Sequence, residues 1–335
     1  MEVADGTAWA FHRLGTLYSD QGRLREAETT YKRALDGCDA WDPKHTLTLR
    51  TINNLGILYT NQDRLREAEA MYKRALDVYE KALGPNHTLA LRTVNNLGTL
   101  YVDQGRLREA EAMYKRALDG KEKAWGPNHI STLGTVNNLG VLYRAQGRLQ
   151  EAETIYKRAL DGYEKAWGPN HTSMLDTVNN LGSLYSDQGR LQEAEAICER
   201  ALDGYEKARG PNHTSTLRAV NNLGALYRVQ GRLQEAGAMY KRALEGYEKT
   251  LGPISVTTHN PTLDTLENFG DLYVELGQVA DAIWYYRRAQ SGIEAAFGRE
   301  SQKYVRLSQA IASVQSLGRQ GRLQRAWNKI TNRHP

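Results

Sequence analysis

The chain reads as an all-α solenoid of antiparallel helix pairs, and three observations predict it. The pair Asn53-Asn54 returns at 95–96, 137–138, 179–180 and 221–222, a constant interval of 42 residues, and the surrounding blocks recur nearly letter for letter. Within each interval the apolar residues fall three and four apart, the spacing of a helix buried along one face. Each interval also carries one turn signal in its middle and one Gly-Pro pair at its end, so it holds two helices. A unit of this size cannot bury its apolar face alone and is stabilised by stacking on copies of itself.

The unit 46–87 shows the elements in order. Leu49, Ile52, Leu55, Leu58 and Tyr59 share one face of a helix A expected over Thr46 to Gln62. Asp63 breaks it, at a position where the sister units carry Gly105, Gly147, Gly189 and Gly231. Helix B is expected from Arg64 to Leu83, with Leu65, Ala68, Met71, Tyr72, Ala75, Leu76 and Tyr79 on its apolar side. Gly84-Pro85 then ends it, as do the same pairs at 126–127, 168–169, 210–211 and 252–253. Gly56 and Ala68, with Gly98 and Ala110, sit in mid-helix, where a small side chain lets the two helices approach closely. Seven units follow from this pattern, near 7–45, 46–87, 88–129, 130–171, 172–213, 214–258 and 259–300. Residues 301–331 keep Gly321-Arg322-Leu323 but lose Asn-Asn-Leu-Gly, and are expected to form a degenerate capping hairpin that closes a single array over 1–335.

Composition removes several function classes. The net charge of +5 comes from 44 basic and 39 acidic residues spread through every unit, so no polybasic run argues for nucleic acid or a membrane surface. Cys38 and Cys198 replace other residues of sister units and show no ligand spacing, which fits a reducing, cytoplasmic setting. Asn86, Asn170 and Asn212 match the glycosylation acceptor pattern. They read as copies of one loop, since the chain has no apolar leader and no run long enough to span a membrane.

The order Leu55-Gly56, Tyr59, Gly105-Arg106, Ala110, Tyr114, Ala117, with proline after helix B, resembles the tetratricopeptide repeat in its longer 42-residue form, as in kinesin light chains. The resemblance covers nearly the whole chain. The wording NNLGxLYxxQGRLxEAExMYKRAL is in particular similar to the tetratricopeptide tails of fungal NOD-like receptors. It implies a right-handed superhelix whose first helices line a concave groove, a protein or extended peptide as the bound partner, and no chemistry of its own. A kinesin light chain-like cargo adaptor and the regulatory region of a larger enzyme are the alternatives.

Because the units are near-copies, their differences mark candidate recognition residues. On helix A the positions of Arg50, Ile57, Thr60 and Asn61 change from unit to unit while the core positions hardly move. Arg50, Arg92, Arg144, Arg218 and Arg228 are expected to favour acidic groups on a ligand. The seventh unit offers Asp264, Glu267, Asp271 and Glu275 on the same face, suited to a basic group or an amino terminus. In the first unit Trp9 and His12 replace Arg50 and Asn53. Drift on any solvated face would produce similar variation, but Lys73-Arg74 and other exposed positions stay comparatively fixed. Asn53, Asn95, Asn137, Asn179 and Asn221 are the constant members of the face. Their amides suit the backbone of an extended peptide, with a bond internal to the protein as the alternative. The second asparagines, from Asn54 on, are expected to bond between hairpins.

His45, His87, His129, His171 and His213 each precede a helix A and are a hairpin apart, too far to share a metal, so they are expected to make loop hydrogen bonds. Glu28/Lys32, Glu69/Lys73, Glu111/Lys115 and Glu153/Lys157 read as solvated i,i+4 pairs. No phosphate loop, nucleophile elbow, metal motif or catalytic set is present, and no cofactor is expected. The basic residues lack the stacked aromatics of a single-strand nucleic-acid binder. Self-association through the groove or an uncapped end is a further expectation.

Overall fold

The computed structural model describes residues 2–21, 23–39, 46–168 and 171–331, side chains excepted at 2–6, 20, 38, 39, 46, 254 and 317–331. These residues form 15 helices and no strand. They pair as α1 (Glu2–Asp20) with α2 (Leu24–Asp39), α3 (Thr46–Asn61) with α4 (Leu65–Leu83), α5 (Thr88–Asp103) with α6 (Leu107–Trp125), and α7 (Ile130–Ala145) with α8 (Leu149–Trp167). The series continues through α9 (Thr172–Asp187), α10 (Leu191–Arg209), α11 (Thr214–Val229), α12 (Leu233–Ser255), α13 (Asn260–Glu275) and α14 (Val279–Phe297) to α15 (Gln302–Thr331). The helices fall into two compact units, residues 1–208 and 209–335.

From α3–α4 to α13–α14 each hairpin turns on one left-handed residue. Gly105 has φ +71°, its N–H bonds to the Val102 carbonyl at 2.9 Å, and the Arg106 N–H returns to the Tyr101 carbonyl at 2.8 Å. Asp63 makes the same turn at φ +59° with a side chain attached. Entry into helix A is set by the histidines. Nδ1 of His87, His129, His171 and His213 accepts from the backbone N–H two residues on, at 3.3, 3.2, 3.3 and 3.1 Å. They are helix N-caps, which satisfy an amide that has no partner inside the helix. His259 instead meets the Thr262 hydroxyl at 3.0 Å, and His45 lies outside the described residues.

Inside a hairpin the close approach is between glycine and a ring. A Cβ on Gly98 would stand 2.7 Å from the Tyr114 ring, and one on Gly56 would stand 2.6 Å from Tyr72. In the first unit the core repeats as leucine, alanine and tyrosine, for example Leu49, Ile52, Ala75, Tyr79 and Ala90 around one junction, and Leu133, Val136, Ala159, Tyr163 and Val178 around another.

Three expectations change. The first helix starts at Glu2, upstream of Thr7. Gly252-Pro253 kinks α12 where it was expected to end it: Gly252 turns out at φ +73°, and a further turn closes from the Val256 N–H to the Gly252 carbonyl at 3.2 Å. Residues 301–331 form one helix, α15, where a hairpin was expected. Leu317 stands there where the repeats carry the tyrosine that precedes the turn.

Candidate functional site

The asparagines form a ladder between hairpins. Nδ2 of Asn96 donates to Oδ1 of Asn53 at 3.4 Å, Asn138 to Asn95 at 3.4 Å, Asn180 to Asn137 at 3.2 Å, and Asn268 to Asn221 at 3.1 Å. In these four pairs the second asparagine reaches back to the first asparagine of an earlier hairpin, whereas Oδ1 of Asn179 is buried without a hydrogen-bond partner among the described residues. Asn53, Asn179 and Asn221 are buried, at 2%, 6% and 8% exposure, so the expected grip on a ligand backbone is corrected at those three positions. Asn95 and Asn137 are half-buried, and Asn95 Oδ1 also accepts from Thr135 at 3.0 Å. A run of amides at a fixed interval is a ladder because its partner lies one repeat along, beyond the reach of local pattern.

The charged positions divide into two classes. Arg144 pairs with Asp187. Arg228 meets Glu275 at 2.8 Å and Asp271 at 3.4 Å, and Glu267 meets Arg306 of α15 at 2.6 Å. Burial raises the Glu267 pKa, with Arg306 opposing it. These groups pair with one another, so a ligand at Arg144, Arg228, Asp271, Glu275 or Glu267 would compete with an internal partner. Asp264 and Arg218 are exposed in the second unit. Arg50 and Arg92 are exposed on α3 and α5, and among the described residues no carboxylate pairs with either. Ile57 on α3 and Trp9 on α1 are exposed, and Arg50 borders a cleft of about 590 Å³ with His12, Arg13, Leu17 and Asn54. His12 is buried with its Nδ1 2.9 Å from the Thr51 hydroxyl; burial, then Arg50 and Arg13, hold its pKa down to about 4.

One further feature was read only in part from the sequence, and another was missed. The glutamates read as half of a solvated pair are hubs between hairpins: Glu69 takes Lys73 at 2.8 Å from its own helix and Arg106 at 2.8 Å from the next. Arg106 also lies over the Tyr101 ring at 4.0 Å and pairs with Glu109. The same clamp joins Arg64 to Glu28, Arg148 to Glu111 and Arg190 to Glu153. Burial alone would raise the Glu69 pKa, but hydrogen bonds from Lys73, Arg106 and Gln104 hold it at about 2. The constant Tyr and Gly-Arg of each turn were the available signal. The second feature is Lys121, 4% exposed, which stands where sister units bury Tyr79, Tyr163 and Tyr205. Its Nζ donates to Thr135 Oγ1 at 2.8 Å and to the Ser131 carbonyl at 3.1 Å.

Among the described residues no group of three His, Cys, Asp or Glu side chains could hold a metal ion, and no helix is long and apolar enough to cross a membrane. Burial pushes the Cys198 thiol up to about 11. The Cys38 side chain and Asn170 lie outside the described residues.

The tetratricopeptide repeat family models match residues 7–38, 47–123, 132–173 and 173–249. No curated protein matches the chain in sequence. Among solved structures it is similar to BtubC (BKLC) from P. vanneervenii, at 23% identity over 69% of this chain and 93% of that one with a TM-score of 0.56. It is similar to a Podosopora anserina protein described as a kinesin light chain with nearly identical TPR-like repeats, at 24% identity over 60% of this chain and 95% of that one with a TM-score of 0.50. It is also similar to a Rap protein complexed with Competence and Sporulation Factor, at 15% identity over 92% of this chain and 76% of that one with a TM-score of 0.65.

Proposed function

This chain belongs to the tetratricopeptide repeat family, and from that premise we propose that it is a non-catalytic scaffold binding an extended, acidic segment of a protein along the helix A faces of its first unit. The single observation that carries the reading is the contrast among arginines. Arg144 is neutralised by Asp187, whereas Arg50 and Arg92 present charge to solvent on α3 and α5, and the apolar Ile57 of α3 and Trp9 of α1 are exposed as well. A guanidinium without a carboxylate on such a face is available for charge-assisted, bidentate bonds to a carboxylate of a partner. Backbone contact falls to Asn95 and Asn137, the half-buried amides.

The host protein is proposed to be of the fungal NOD-like receptor type, on the wording of the repeats. A kinesin light chain-like cargo adaptor is the second reading, supported by the likeness of fold to the Podosopora anserina protein. A nucleotide-binding domain encoded upstream in the parent gene favours the first, and an upstream coiled-coil segment the second.

The test is affinity for a fluorescein-labelled peptide of alternating glutamate and leucine. Arg50→Glu/Arg92→Glu should weaken binding about tenfold or more per arginine, from about 1.5–3 kcal/mol for a hydrogen bond to a charged group. Arg66→Glu/Arg108→Glu carries the same charge change on exposed helix B positions and should leave most of the affinity. Equal losses in the two variants, or none in either, would remove the proposal.

A further inference from the structure

We propose, resting on the reading of an acidic segment bound along the helix A faces, that the floor beside Gly134 is a subsite for one carboxylate of that segment, received by the buried Lys121 and the exposed Arg92. Lys121 belongs to a helix B, so the helix A faces alone do not reveal it.

The subsite follows from a register that successive hairpins repeat. Tyr79 of α4 feels the charges of both Arg92 and Arg50, and Tyr163 of α8 feels that of Asp176. Lys121 of α6 takes the corresponding place between Arg92 of α5 and Gly134 of α7. Its Nζ donates to Thr135 Oγ1 at 2.8 Å and to the Ser131 carbonyl at 3.1 Å. Those residues are one after and three before Gly134, so the ammonium lies on the face of α7 that Gly134 shares. Gly134 stands where sister helices carry Arg50, Arg92 and Asp176, and a Cβ built on it would meet no atom within 4 Å. The floor is open there.

The charge at this opening lacks a counter-ion. Lys121 is 4% exposed, two of its three N–H donors are used, and among the described residues no carboxylate pairs with it or with Arg92. Burying an unpaired charge is costly, and burial, then Arg92, hold the Lys121 pKa down to about 8. Arg92 of α5 is the charge that faces Lys121, while α7 presents Thr135 and a carbonyl. The neighbouring acids of α6, Asp119 and Glu122, are engaged by Lys123 and Arg158, and His129 packs on the Trp125 ring at 5.0 Å.

A carboxylate over Gly134 supplies what is missing. It accepts from the third N–H of Lys121 and from the Arg92 guanidinium, in charge-assisted bonds strengthened by burial. Asp176, in the same register on α9, accepts from the Tyr205 hydroxyl at 2.5 Å and repels an anion, which holds the ligand carboxylate on the Arg92 side. Binding then restores the charge on Lys121 and takes up a proton. Contact with arginines alone does not, because a guanidinium stays protonated throughout.

The experiment is isothermal titration calorimetry of the full chain at pH 8.5, in two buffers of different ionisation enthalpy, with an N-acetylated, C-amidated peptide of alternating glutamate and leucine. The peptide is fully ionised at that pH, and Tyr79 and Tyr163 are held above the ordinary tyrosine value, so neither supplies the signal. Uptake of roughly 0.7 proton per peptide is expected, with affinity about tenfold weaker at pH 9.5 than at pH 7.5. Lys121→Tyr restores the residue of the sister hairpins, so it should keep the parent circular dichroism spectrum while abolishing the uptake and flattening the pH profile. Binding that Arg50→Glu/Arg92→Glu removes but that takes up no proton, or equal uptake in Lys121→Tyr, would overturn the subsite and leave the groove reading intact. Absence of binding to the parent would overturn both.

Discussion

Lys121 shows what a single exchange inside a repeat costs. Its ammonium is buried against Thr135 and the Ser131 carbonyl without a carboxylate, and burial, then Arg92, depress its pKa from 10.5 to about 8. A depressed base binds fewer protons folded than unfolded, so its contribution to stability rises with pH between about 8 and 10.5. Urea unfolding should show this rise in the parent, on the order of 2 kcal/mol, and a flatter profile in Lys121→Met. Lys121→Tyr, which restores the sister residue, should unfold at higher urea than the parent at pH 8; a lower midpoint would contradict the reading. At this scale the sequence marked the right positions and misassigned several partners. Asn53 was visible as invariant, but its bond to Asn96 lies 43 residues away, and Arg144 was visible as variable, but not its pairing with Asp187. A side chain's partner depends on stacking register, which no local pattern states.

Helices and turns were legible because each has a local cause. The expected bounds of helix A and helix B fall within one residue of Thr46–Asn61 and Leu65–Leu83, set by the left-handed Asp63 and by Gly84 at φ +90°. α15 was misread because Gly321-Arg322-Leu323 copies the turn wording of the repeats without the tyrosine whose ring lies under the turn arginine, as Tyr101 lies under Arg106. The clamp that ring completes predicts an acid response. Glu69, Glu111 and Glu153 are each held at about 2 against an ordinary value of 4.5. Depressed carboxylates contribute stability above pH 4.5 that is lost as pH falls toward 2. The Glu69→Gln/Glu111→Gln/Glu153→Gln variant should be less stable at pH 7 by roughly 1 kcal/mol or more per site, and should lose less than the parent between pH 4.5 and 2. Parallel stability–pH curves for the two proteins would show that the clamps carry no net stability.

At the scale of the whole molecule, the array was readable because successive hairpins within the first unit repeat one set of contacts, as Arg64–Glu28, Arg106–Glu69, Arg148–Glu111 and Arg190–Glu153 do. What remains free to vary is the solvent-facing side of the first helices, and there the first unit keeps Arg50 and Arg92 without carboxylates. The account rests on ligand lying along that face. The most direct measurement places a photo-crosslinking benzoylphenylalanine at Ile57 or Thr99 on the face, and at Arg66 or Arg108 on helix B, and exposes each protein to the labelled glutamate–leucine peptide. The account predicts adducts from positions 57 and 99 and essentially none from 66 and 108; adducts confined to 66 and 108 would contradict it.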